Sequence, residues 1–163
     1  MQKNSQIAQQ IIDSIHNVIG TKDSSLHEPV FNGNEWVYLK ECLDSTYVSS
    51  VGKFVDKFEQ GLVELTGAKY AIALVNGTAA IHLALILAEV KEGDEVLTPT
   101  FTFVATANAI SYLKATPHFI DNDEDTLGVD PKKLSEYLNK FTEQKDGKCL
   151  NIKTNKIIKA IVP

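Results

Sequence analysis

The tripeptide Asn76-Gly77-Thr78 has the residue types of an anion cup, set between an apolar run, Tyr70–Val75, and a helix-forming run, Ala79–Val90. Asn-Gly ordinarily signals a two-residue hairpin, yet here a strand-like pattern leads into a helix. In that setting the pair allows positive φ and a close backbone approach. The first turn of the helix then offers N–H groups with no intrahelical acceptor, together with the positive end of the helix dipole, and a phosphate suits both. Thr78 either caps the helix or gives its hydroxyl to a ligand. Taken alone, an ordinary helix cap explains the tripeptide as well. The same residues match an N-glycosylation acceptor pattern, which has no consequence in a cytosolic chain.

A second stretch with chemical potential is "TPTFTFVATANAI", Thr98–Ile110, again a strand, a turn and a helix start, rich in hydroxyls and aromatics. At the carboxyl edge of the same sheet, Phe101 or Phe103 would offer a ring face to the anion site; as core residues they would only pack. The acidic turn "DNDEDTLGVD", Asp121–Asp130, misses the calcium-loop pattern, with Gly128 two positions late and no closing glutamate. It reads as a solvated turn before a helix, and no metal site is expected. Of the four histidines, His82 packs or faces solvent, His16 and His118 have no evident partner, and His27 lies in the loop "LHEPVF" beside Glu28. No Ser-His-Asp or Cys-His arrangement has support. Cys42 and Cys149 lie far apart, without metal-type spacing, and read as reduced thiols with no chemical role.

These residues need elements to position them. Ile7, Ile11 and Ile15 form the stripe of an amphipathic helix rather than a signal peptide. An extended loop follows, then helices over Glu35–Asp44 and Gly52–Thr66, the second with Phe54, Phe58, Leu62 and Leu65 on one face and Gly67 at its end. "YAIALV" reads as a fully buried strand, apolar without alternation. Strand and helix then alternate: helix Ala79–Val90, strand "EVLTPT", helix Phe103–Tyr112, strand "TPHFI", helix Pro131–Lys140 and strand "KIIKAIVP". That alternation predicts an α/β fold with a mostly parallel sheet covered by helices.

Composition narrows the partners. A net charge of −5 disfavours nucleic acid and anionic membrane surfaces, and Lys153, Lys156 and Lys159 read as a solvated strand edge. No apolar run approaches the ~20 residues that span a bilayer, so the expectation is a soluble, cytoplasmic chain. It stops at Pro163, at the end of an apolar strand. The carboxyl ends of such strands carry ligand groups, so the expectation is an N-terminal piece of a longer protein, or a chain completed by a partner.

In this order, "VSSVGKFVDKFEQGLVELTGAKYAIALVNGTAAIHLAL", "GDEVLTPTFTFVATANAISY" and "PHFIDNDEDTLGVDP" resemble the DegT/DnrJ/EryC1/StrS family of pyridoxal-phosphate-dependent sugar aminotransferases. The resemblance runs from about Leu26 to Pro163. It implies part of the large domain of the fold-type-I transferase fold, with N-terminal helices and a substrate-side loop over 1–50 and the start of the cofactor-binding domain over 51–163. It assigns Gly77, Thr78 and Ala79 to the phosphate of pyridoxal 5′-phosphate and Phe103 to stacking on its pyridine ring. The branch it most resembles aminates nucleotide-linked 4-keto-6-deoxy sugars for legionaminic-type nonulosonic acids, with perosamine synthases as near neighbours. Glutamate as amino donor and a homodimer are implied as well. The family's cofactor-bearing lysine and its pyridine-nitrogen aspartate match no position in this sequence, so no residue here is assigned a catalytic role. These residues alone are therefore expected to lack catalysis and to hold the cofactor weakly. Two alternatives stay open: the dehydratase branch, where histidine replaces that lysine, and a non-catalytic paralogue or ligand-binding α/β domain.

Overall fold

The computed structural model describes residues 2–20 and 28–163. His27 lies outside the described residues. The chain divides into two compact units, 1–68 and 69–163.

The first unit holds three helices: α1 (Gln2–Ile19), α2 (Glu35–Asp44) and α3 (Lys53–Thr66). α1 keeps the expected stripe, with Ile7, Ile11 and Ile15 about half exposed. α3 ends where a glycine allows it to: Gly67 takes the left-handed conformation at φ 71° and its N–H closes on the Val63 carbonyl. The Tyr38 and Phe54 rings join α2 to α3 at 5.1 Å between centroids.

The second unit carries α4 (Gly77–Leu87), β1 (Glu95–Pro99), α5 (Val104–Tyr112), β2 (Thr116–Ile120), α6 (Pro131–Phe141), β3 (Thr142–Lys145), β4 (Lys148–Asn151) and β5 (Lys156–Ile161). One five-stranded sheet runs β2-β1-β5-β4-β3. β1 pairs in parallel with β2 and with β5, as an α/β fold requires. β4 pairs antiparallel with both β5 and β3, so the sheet is mixed rather than mostly parallel. The added edge is a hairpin closed by Asp146-Gly147, both left-handed at φ 51° and 72°. That is the conformation a type I′ turn demands.

Two further elements differ from expectation. Tyr70–Val75 forms no strand of this sheet, and Tyr70, Ile72 and Val75 are exposed. An apolar run becomes a strand only where a neighbour accepts its ladder. Among the described residues no strand of the sheet pairs with Tyr70–Val75: β1 is flanked by β2 and β5, and β5 by β1 and β4. The lysines are also less idle than a solvated edge. Lys156 donates to the Thr116 hydroxyl at 3.0 Å, Lys159 pairs with Glu89 at 3.8 Å, and Lys153 lies 3.6 Å from the Phe141 ring centre.

The core lies between α4, α5 and the sheet, where Leu85, Val90, Val96, Ile110 and Ala115 form one buried cluster. Burying each of the larger members stabilises by about 1.5–3 kcal/mol. α6 starts on Asp130, whose carboxylate accepts from the amides of Lys132 and Lys133, followed by Pro131 in the first turn. Among the described residues no helix is long and apolar enough to cross a membrane.

Candidate functional site

The Asn-Gly turn is built differently from a left-handed turn. Asn76 is extended, at φ −166° and ψ 171°, and Gly77 is absent from the positive-φ residues. Asn76 is the helix cap: its Oδ1 accepts from the Ala79 amide at 2.8 Å, and its carbonyl accepts from Ala80. That relieves Thr78 of the capping role its position offered. Among the described residues, neither the amides of Gly77 and Thr78 nor the Thr78 hydroxyl has a partner within the protein. A β-carbon on Gly77 would meet nothing within 4 Å, so packing does not demand the glycine. What a bare Cα does there is leave the two amides open to an approaching ligand.

Thr78 and Ala79 line a depression of about 450 Å³ together with Asn76, His82 and Tyr112. His82 is half-buried; its ring meets Tyr112 edge-on at 5.7 Å between centroids, and its Nδ1 lies 3.4 Å from the Ala109 carbonyl. Of the two readings for His82, packing is the one observed.

Phe103 is the residue that starts α5, at φ −72° and ψ 142°. Neither Phe103 nor Phe101 is core: they are 78% and 68% exposed. Their loop follows the carboxyl end of β1 and is held by a residue with no signal of its own in the sequence. Asn122 Oδ1 accepts from the Thr100 hydroxyl at 2.8 Å and from the Phe101 amide at 2.9 Å, while its Nδ2 donates to the Leu127 carbonyl. The Thr102 and Thr106 hydroxyls pair at 3.1 Å on the other side of Phe103. Phe103 does not line the depression at Thr78. The residues thus stand as two presented groups, an open helix start and an exposed ring, rather than one closed pocket. Their donor set fits a phosphorylated aromatic cofactor: two free amides and a hydroxyl for the phosphate, a ring face for the ring.

A second titratable cluster lies at the opposite end of β1. Glu95, buried at 2% exposure, accepts from His118 Nδ1 and from Asn151 Nδ2, both at 2.8 Å. His118, expected to lack a partner, therefore has one, and it also meets the Tyr137 ring at 5.3 Å. Burial alone would raise the Glu95 pKa. Hydrogen bonds from Asn151, Thr154 and His118, with the His118 charge, outweigh it and hold the carboxyl below its ordinary value. Burial, then the Glu95 charge, push the Tyr137 phenol up. The acidic turn is self-satisfied: Asp123 accepts from the amides of Asp125 and Thr126, chiefly the latter, which lowers its pKa.

Residues 31–163 match the DegT/DnrJ/EryC1/StrS aminotransferase family. A GDP-perosamine synthase of Caulobacter vibrioides is 46% identical over 110 residues, 68% of this chain and 30% of that protein. Among solved structures, the aminotransferase from Psychrobacter cryohalolentis is 34% identical with a TM-score of 0.60, over 66% of this chain and 28% of that one. The PLP form of a Streptococcus pneumoniae protein designated a sugar aminotransferase is 27% identical with a TM-score of 0.58, over 71% and 29%. The chain spans about 30% of the length of the curated relatives it matches.

Proposed function

Since the chain belongs to the DegT/DnrJ/EryC1/StrS aminotransferase family, we propose that it forms the phosphate-binding and ring-stacking part of a pyridoxal-phosphate-dependent enzyme. That enzyme transfers an amino group, from glutamate, to a nucleotide-linked 4-keto-6-deoxy sugar in the cytoplasm, for surface-glycan synthesis. A homodimer is its working form. The branch lies between nonulosonic-acid and perosamine synthesis, and the Caulobacter relative favours the perosamine side.

The observation that carries this reading is the open start of α4, where Asn76 caps and leaves the Gly77 and Thr78 amides and the Thr78 hydroxyl free. Those three donors hold the cofactor phosphate, and the helix dipole adds about 0.3–1 kcal/mol. Phe103 covers one face of the pyridine ring. Bound, the cofactor supplies an electron sink at the carbon that loses or gains the amine. The residues of this chain bind and orient it; proton transfer is assigned to none of them.

Pyridoxine 5′-phosphate, which lacks the aldehyde and so does not react with surface lysines, is the probe. Titrated into the labelled chain, it is expected to move the amide resonances of Gly77 and Thr78. Thr78→Val should weaken it about tenfold, the effect of one hydrogen bond to a charged group. Undisturbed amides at Gly77 and Thr78 would overturn the reading.

A further inference from the structure

Resting on that reading, we infer that His82 is a positioning residue, the brace that sets the spacing between the phosphate-binding start of α4 and the stacking ring of Phe103. The argument begins at the far end of α5. The helix closes with a tightened turn: the Leu113 amide bonds the Ile110 carbonyl and the Lys114 amide bonds that of Ser111. The Ala109 carbonyl is thereby left without its usual amide, one of the orphan acceptors of a helix end. Ala109 itself is fully buried, and an unmet carbonyl there is costly. His82 Nδ1 is the group that reaches it, at 3.4 Å. Because a carbonyl only accepts, Nδ1 is the donor in this contact.

Among the described residues this is the one hydrogen bond between α4 and α5. The rest of their contact is apolar, Leu85 and Ile81 against Ile110. Apolar packing is non-directional, whereas a hydrogen bond through a ring nitrogen adds a preferred direction. Tyr112, edge-on to the imidazole, limits its rotation. Gly77, Thr78 and Ala79 stand at the start of α4, and Phe103 caps the start of α5, the end away from Ala109. His82 lines the depression at Thr78, one turn inside the phosphate donors. A ligand held at both its phosphate and its ring spans the two helices, so its affinity depends on their register. A ligand held at the phosphate alone does not.

Two probes separate these cases on the whole chain: pyridoxine 5′-phosphate, which has both ends, and inorganic phosphate, which has one. His82→Phe keeps the ring against Tyr112 and removes the donor; His82→Asn keeps a donor near the Nδ1 position and removes the ring. With His82→Phe the affinity for pyridoxine 5′-phosphate should fall about tenfold while that for inorganic phosphate stays within about twofold, and His82→Asn should hold both within about twofold. The amide of Phe103 should lose its response to pyridoxine 5′-phosphate in His82→Phe while that of Thr78 keeps its own. If phenylalanine is not accommodated, His82→Leu carries the same comparison. Equal loss of both probes, or loss of neither, overturns the bracing role. Failure of the unaltered chain to respond at Gly77 and Thr78 overturns the phosphate assignment itself, and is read before any variant.

Discussion

Asn76-Gly77 and Asp146-Gly147 are the same kind of dipeptide with opposite outcomes. The second closes the β3–β4 hairpin with both residues left-handed. The first has Asn76 extended and Gly77 as the opening residue of α4. What separates them is the partner each flank finds. After Gly147, Lys148–Asn151 pairs on one side with Thr142–Lys145 and on the other with β5. After Gly77 comes "TAAIHLAL", whose Ile81 and Leu85 pack as a helix face on Val96 and Ile110. At the hairpin end the buried side-chain amide of Asn151 donates to Glu95 and accepts from the Lys153 amide, whereas the helix start leaves two amides and a hydroxyl open. A turn that closes a structure spends its hydrogen bonds internally; a turn suited to a ligand leaves some of them unmade.

The largest expected effect breaks the closed end. Asn151 carries one of the hydrogen bonds that keep buried Glu95 ionised, so Asn151→Ala should destabilise by about 2–3 kcal/mol. Because the folded pKa of Glu95 is lowered, its contribution is complete above the unfolded value of 4.5 and is lost as pH falls through the folded one. The gap between the two proteins in urea midpoint should therefore close on acidification. A gap that does not narrow at all as the pH falls below 4.5 toward acid unfolding would mean the charge is irrelevant.

Next comes the direct contrast of the two glycines. Gly147→Ala forces a β-carbon into left-handed backbone at φ 72° and should cost about 1–2 kcal/mol. Gly77→Ala, at a helix start with nothing within 4 Å of the new carbon, should leave stability within about 0.5 kcal/mol. It should nevertheless weaken pyridoxine 5′-phosphate by crowding the amides. Similar thermal shifts for the two substitutions would erase the distinction between the turns.

The same contrast explains what was legible in the sequence. Helix starts and ends were readable because their signals are local: Asp130-Pro131 before α6, Gly67 after α3, the isoleucine stripe of α1. The Asn76-Gly77-Thr78 turn was readable as a helix start, although capping fell to Asn76 rather than Thr78. Strands were less readable, since a strand exists only with a partner. Tyr70–Val75 had the composition of a buried strand and joins no sheet, while "TEQK", polar throughout, became one because Asp146-Gly147 folded β4 back onto it. The supports of the site were hidden for a related reason. Asn122 holds Phe101 across 21 residues, and His82 reaches Ala109 across 27. Nothing in the local pattern of either segment announces the other.

The smallest expected effect asks whether an unmade hydrogen bond also occurs within β1, at Thr98. Thr98 alternates with Val96 and so faces α4 and α5, toward the carboxyl end of the strand. It is fully buried, and its hydroxyl has no partner among the described residues. A buried hydroxyl without a bond is unfavourable, and replacing it by a methyl group of similar shape removes that penalty. Thr98→Val should therefore raise stability by about 1 kcal/mol, seen as a higher urea midpoint at unchanged slope. A drop instead would show that the hydroxyl is engaged from the α4 side. The contrast between the closed hairpin end and the open groups would then rest on the start of α4 alone.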